Sequence, residues 1–289
     1  MIAVRPDYYS RIAAAAGAPV RRFHPLTGGS VASVYRVELT DNRQVAVKLA
    51  DPATGRLQIE GAMLDELARL SRLPVPRNLY ATPELLVMSW IDNDGAAMGA
   101  SAEIHAAELL ADLHGITAAN YGFDRDTLIG GLAQPNGWMP SWREFFRERR
   151  LLYMAREAHN AGQLPAPLLA RVETLAGRLE RWIPEDTQPA LIHGDMWSGN
   201  VLVKDGRIAG FVDPAIYYAD AEIELAFATL FNTFGTAFFR RYGELRPLRP
   251  GFFEERRELY NLYPLLVHVR LFGGGYIESV ATTLSRYGC

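Results

Sequence analysis

One stretch constrains this chain more than any other: LIHGDMWSGNVLV, residues 191–203. It sets His193, Gly194, Asp195 and Asn200 in a loop between two apolar, strand-like runs. A hairpin signal comes next. Asp205-Gly206 joins VLVK to IAGFV, and the second run delivers Asp213 in GFVDP. A fold built on this island brings the loop before one strand and the loop after the next to a common edge. The order is Asp, then Asn five residues on, then Asp eighteen on. It suits moving a phosphoryl group from a metal-bound nucleotide to a hydroxyl, where one Asp orients the acceptor while the Asn and second Asp hold Mg²⁺ against the phosphates.

Asp195 is the candidate catalytic base. A free Asp, pKa about 3.9, is a weak base for an alcohol. A loose transition state does not need early deprotonation, so Asp195 is expected to orient the hydroxyl and take its proton late. Asn200 and Asp213 are the candidate Mg²⁺ ligands, because Mg²⁺ takes oxygen donors and keeps several waters. His193 is expected to support the loop backbone. Lys48 ends the apolar run AVKLA, where an unpaired ammonium is costly. It is read as a contact to the nucleotide phosphates, with Glu60 as its helix partner and Glu66 as runner-up. Met88, ending the buried-strand candidate Leu85–Met88, is placed at the nucleotide site as well. Gly28-Gly29-Ser30 could cover phosphates with backbone N–H groups. Neither GxxxxGK[ST] nor GxGxxG is present, so P-loop and dinucleotide-binding folds lack support.

The rest of the chain fits a two-lobed protein. Its 289 residues allow two lobes, and a net charge of −3 gives no reason to expect nucleic acid or an anionic membrane as partner. Cys289 is the one cysteine, so no disulfide forms within the chain. No apolar run approaches the roughly 18–20 residues of a membrane helix, and the start lacks a signal-peptide centre, so a cytoplasmic protein is expected. Helices are predicted at 6–17, 57–72, around 106–113, at 141–160 and 166–182, with strands within 26–50. Ile91-Asp92-Asn93-Asp94-Gly95 breaks the pattern, giving a small β-rich lobe, 1–91, and a large, mostly helical lobe, 92–289. The run Arg143, Arg147, Arg149, Arg150 reads as a solvated helix face. Gly273-Gly274-Gly275 reads as a helix break.

With these residues placed, the chain resembles the fructosamine kinase (ketosamine-3-kinase) family, relatives of the aminoglycoside phosphotransferases. HGDMWSGN, including Trp197, is similar to that family's signature, and so is Asp213-Pro214-Ala215-Ile216-Tyr217-Tyr218. Ile129-Gly130 with Gln134-Pro135-Asn136-Gly137-Trp138, then Trp142 and Phe146, resembles its mid-chain motif. Leu271-Phe272-Gly273-Gly274-Gly275-Tyr276 resembles its C-terminal one. The resemblance implies an α+β, protein-kinase-like two-lobe fold and ATP with Mg²⁺ as cofactors. It implies phosphorylation of O3 on a small or protein-bound ketosamine, followed by release of the amine. Carried over by position, Asp195 is the catalytic Asp, Asn200 and Asp213 the metal ligands, and Lys48 with Glu60 the nucleotide pair.

The chain also departs from the family. No cysteine comes after Gly28-Gly29-Ser30 in the loop, so a monomer or weak homodimer is expected and not a disulfide-linked dimer. Glu224 stands where the family has Asp, and its extra methylene shifts the carboxylate relative to the catalytic loop. Asn232-Thr233-Phe234-Gly235 replaces a glycine pair near the acceptor. The rival reading is a kinase of the same fold acting on an aminoglycoside, choline or homoserine. Polycationic acceptors need an acidic pocket, and the first acidic residues after Asp213 are Asp220, Glu222 and Glu224. A non-catalytic nucleotide-binding module would lack some of Lys48, Asp195, Asn200 and Asp213. A protein kinase would carry HRD, DFG and APE motifs.

Overall fold

Alternating apolar residues build the first layer. In β2 (Ser33–Leu39), Tyr35, Val37 and Leu39 are buried, and β3 (Gln44–Leu49) turns Val45 and Val47 to the same core. The two pair antiparallel across a tight turn in which Asn42 takes a left-handed backbone, φ 69°. The structure, a computed structural model, describes residues 4–26 and 32–289. Within them β1 (Val20–Pro25), β2, β3, β4 (Asn78–Ala81) and β5 (Leu85–Ser89) form one antiparallel sheet in the order β1-β2-β3-β5-β4. Strands β1 and β4 escaped sequence reading. VRRFHP exposes two arginines and ends on Pro, a composition tolerated because β1 is an edge strand.

Helix α1 (Pro6–Ala16) packs Tyr8 and Ile12 on one face of the sheet, against Val37, Leu39, Val47 and Val87. Helix α2 (Leu57–Leu70) packs Leu57 and Leu64 on the other, against Ala50, Leu86 and Met88. Fully buried leucines such as Leu64 and Leu86 each contribute about 1.5–3 kcal/mol of burial.

Residues 90–99 then run without regular structure along the β9–β10 hairpin (β9 Val201–Lys204, β10 Arg207–Phe211). Asp94 N–H donates to the Val203 carbonyl, and Asp205 N–H donates to the Asp94 carboxylate. From α3 (Ala100–Leu113) onward the lobe is mainly helical, with helices at Ala166–Ala176, Glu222–Leu230, Thr236–Leu245, Arg257–Phe272 and Gly275–Arg286. Among the described residues no helix is long and apolar enough to cross a membrane.

The predicted helix at 141–160 is present but not uniform. Its middle turns, Phe146–Leu152, are π-helical between α-helical Trp142–Phe145 and Tyr153–Asn160. A π turn carries an extra residue and rotates the helix beyond it. Arg143, Arg147 and Arg149 reach solvent, but Arg150 is fully buried, so the expected solvated face is corrected at that position.

Two more strand pairs place the site. β8 (Ala190–Ile192) pairs with β11 (Tyr217–Ala219), while β9 pairs with β10. The loops 193–200 and 212–216 therefore lie side by side. They are laced by Ala215 N–H to the His193 carbonyl at 2.7 Å and Val212 N–H to the Asn200 carbonyl at 3.0 Å.

Candidate active site

The lacing puts Asp195, Asn200 and Asp213 on one wall of the cleft between the lobes. The opposite wall supplies Lys48, from the middle of the sheet, and Glu60, from the first turn of α2. Lys48 Nζ lies 2.5 Å from Asp213 Oδ1, in a well-aligned hydrogen bond, and 2.7 Å from Glu60 Oε1, in an ion pair out of hydrogen-bond line. Burial works against the Lys48 charge, but Asp213 and Glu60 outweigh it and hold the ammonium protonated. Glu66, the runner-up, pairs with Arg69 and Arg125.

Asn200 Nδ2 donates to both the backbone carbonyl and Oδ2 of Asp195, each at 2.9 Å. That fixes the Asp195 carboxylate and leaves the amide oxygen of Asn200 as the end open to a cation. Burial, then the charge of Asp213, pushes the Asp195 carboxyl up to about 7, with Asn200 and Lys48 pulling the other way. Asp213 has a left-handed backbone, φ 56°, uncommon for a non-glycine residue, and its side chain is 39% exposed to the cleft. Three carboxylates, Asp195, Asp213 and Glu60, thus face a single ammonium. Among the described residues no group of three or more His, Cys, Asp or Glu could hold a metal alone. One carboxylate and one amide oxygen at an electronegative cleft nonetheless fit Mg²⁺, which completes its shell with phosphate and water.

The Gly194 backbone, φ 89°, makes the sharp turn before Asp195, and a Cβ there would lie 2.1 Å from the Ala215 carbonyl oxygen. Glu224 supports this turn. Its Oε1 accepts from Gly194 N–H at 2.6 Å, and its Oε2 lies 2.8 Å from His114 Nε2. The extra methylene therefore still reaches the Gly194–Asp195 turn. His193 is buried beneath it, where burial pushes its pKa down, and its Nδ1 accepts from Asp195 N–H at 3.4 Å.

Met88 lines the cleft from β5 with Ala46 from β3, across from Leu202 and Val212, which makes an apolar slot beside the 89–91 backbone. Ala46, Leu202 and Val212 were missed in the sequence because single apolar residues in strands read as core. Also missed was a second wall: Phe231, His268, Phe272 and Tyr276 join Trp197. Trp197 lies 6.5 Å from Phe231, and His268 lies 5.0 Å from Phe231 and 4.8 Å from Tyr276, centroid to centroid. Trp197 is 41% exposed and lies across Gly199, where a Cβ would come within 2.3 Å of the indole. Asp220, Glu222 and Glu224 turn away from the cleft into the core, toward Arg249, Arg256 and His114. Asn232 lies in a left-handed turn and does not line the cleft. Gly28, Gly29 and Ser30 lie outside the described residues.

The family model described as fructosamine kinase matches residues 7–287. The chain belongs to the fructosamine kinase family. It is 35% identical over 237 residues to a protein of Synechocystis assigned as a ketoamine kinase, covering 79% of this chain and 77% of that one. It is 33% identical over 227 residues to the chloroplastic protein-ribulosamine 3-kinase of Arabidopsis thaliana, covering 76% and 67%. A solved structure assigned as a fructosamine-3-kinase of Thermobifida fusca superposes with a TM-score of 0.83 at 32% identity, over 96% of this chain and 98% of that one. An ADP-bound aminoglycoside phosphotransferase, 14% identical with a TM-score of 0.65 over 97% of each chain, shares the fold. The two-lobed, protein-kinase-like architecture and a kinase activity follow from these relations.

Proposed function

We propose that this protein is an ATP- and Mg²⁺-dependent kinase that phosphorylates O3 of a ketosamine, a fructosamine- or ribulosamine-type adduct of an amine. Bound Mg²⁺ would sit between Asn200, Asp213 and the nucleotide phosphates and neutralise their charge. Lys48, steadied by Glu60, contacts the phosphates, and the Ala46–Met88/Leu202–Val212 slot takes the base. Asp195, oriented by Asn200, accepts the O3 proton as the O3–phosphorus bond forms and the bond to the departing ADP oxygen breaks. The 3-phosphate is then a good leaving group. Its elimination expels inorganic phosphate and leaves an unsaturated imine, which water hydrolyses to the free amine and a 3-deoxy dicarbonyl sugar; this would amount to deglycation in the cytoplasm.

One observation carries the choice of acceptor. The wall beyond Asp195 is aromatic, built of Trp197, Phe231, His268, Phe272 and Tyr276, and the acidic cluster a polycation would need is buried elsewhere. Aromatic faces suit the apolar side of a sugar and a single cationic amine. The names borne by the Synechocystis and Arabidopsis relatives support the same reading. An ATP-consumption screen tests it with fructosyl-, ribulosyl- and erythrulosyl-lysine beside kanamycin and choline. Turnover is expected with at least one ketosamine. Response only to kanamycin or choline removes the assignment.

A further inference from the structure

Arg150 is fully buried, yet among the described residues it forms no ion pair. Its guanidinium donates to the carbonyls of Pro135 (2.8 Å) and Arg149 (3.0 Å) and to Asn136 Oδ1 (2.6 Å). Its Nε has no partner, and the group lies over the ring faces of Tyr217 and Phe145, 3.8 and 4.6 Å from their centroids. A buried cation without a counter-charge is costly, so its retention calls for a use. The chain of contacts leads to the site. Asn136 Nδ2 donates to Thr127 Oγ1 at 2.7 Å, and Gln134 Nε2 donates to Thr127 Oγ1 at 2.8 Å and to the Ala215 carbonyl at 3.0 Å. Tyr263 Oη donates to Gln134 Oε1 at 2.8 Å and holds that amide in its orientation. Ala215 is the residue pressed against Gly194, two positions beyond the left-handed Asp213.

We propose that Arg150, Asn136 and Gln134 form a buried strut that positions the Asp213–Ala215 segment against the Gly194–Asp195 turn. By fixing the Asp213 carboxylate, the strut sets the site's affinity for the metal–nucleotide pair. These are positioning residues, since none of them lines the cleft. The inference rests on the metal role proposed for Asp213 but not on the identity of the acceptor.

The test is calorimetric titration of the full chain with MgADP and, separately, with metal-free ADP. Gln134→Leu removes both donors, and Tyr263→Phe frees the amide without touching the strut's backbone contacts. Gln134→Leu is expected to weaken MgADP about tenfold, the scale of a displacement under 1 Å, while metal-free ADP stays within about twofold. Tyr263→Phe is expected to show a smaller shift of the same pattern, and it reads the strut even where Gln134→Leu fails to fold. Equal weakening of both ligands, or wild-type MgADP affinity in both variants, overturns the strut. A negative acceptor screen leaves this result untouched, so the two readings fail separately.

Discussion

Glu224 offers the sharpest test of how the Gly194–Asp195 turn is held. Its carboxylate is buried with two donors on it, Gly194 N–H and His114 Nε2, and His114 Nδ1 lies 2.7 Å from Tyr242 Oη. Glu224→Ala strands both donors in a buried site. Each orphaned buried donor costs about 1–3 kcal/mol, so the loss is about 2–6 kcal/mol before any void is counted. Against a total stability of about 5–15 kcal/mol, that variant is crippled or unfolded. Glu224→Gln is milder. The amide oxygen still accepts from Gly194, and its NH₂ is accommodated when His114 switches tautomer and donates from Nδ1 to Tyr242. A cost of about 1–2 kcal/mol is expected.

The pH dependence separates charge from shape. Burial acts to raise the Glu224 pKa, but hydrogen bonds from His114 and Gly194 with the nearby imidazoles outweigh it, and the folded value lies below that of an ordinary glutamate. A carboxylate depressed in the folded state contributes stability that is complete above its unfolded pKa and is lost as pH falls through the folded one. The gap between wild type and Glu224→Gln in urea melts should therefore hold from about pH 8 to about pH 5 and shrink below about 4.5. A gap of equal size at about pH 4 and about pH 7 would show that the native Glu224 pKa is not lowered, and a gap that widens as pH falls would show a carboxyl that is neutral in the native protein; either result would refute this account of the turn.

Two further outcomes concern the cleft. Asp195→Asn should lower turnover by about 10²–10⁴-fold while MgADP still binds in calorimetry, and near-normal turnover would reject the role of Asp195. Glu60→Gln removes one of the two anions on Lys48 and should raise the KM for ATP about tenfold, an effect of about 1.4 kcal/mol, below the cost of breaking a buried ion pair outright because Asp213 still pairs the ammonium. Glu66→Gln, which loses only exposed pairs with Arg69 and Arg125, should leave that KM unchanged. Equal effects of the two would deny Glu60 its special place.

What the sequence showed and hid has a physical pattern. Asp195, Asn200 and Asp213 were legible because their placement is local. A DG turn closes β9 on β10, and the ends of a hairpin must meet. The Lys48–Glu60 pair was legible because a lysine in an apolar strand demands a partner, and the period of α2 points Glu60 toward it. Strands β6 (Thr127–Ile129), β7 (Leu132–Gln134) and β11 stayed hidden, since three residues are too few to show alternation. The aromatic wall was hidden for the opposite reason: Phe231 follows the helix Glu222–Leu230, His268 and Phe272 lie on Arg257–Phe272 and Tyr276 on Gly275–Arg286, and only the fold brings these segments together beside Trp197.

Arg150 was misread because a π turn breaks the 3.6-residue period from which a helix face is inferred. A signal was available nonetheless. Gln134 and Asn136 flank Pro135 at the end of the hairpin, two amides where a surface loop needs none, and amides that become buried demand fixed partners. Buried polar groups that no local rule explains are thus the sequence's signal for the proposed support of the Asp213–Ala215 segment.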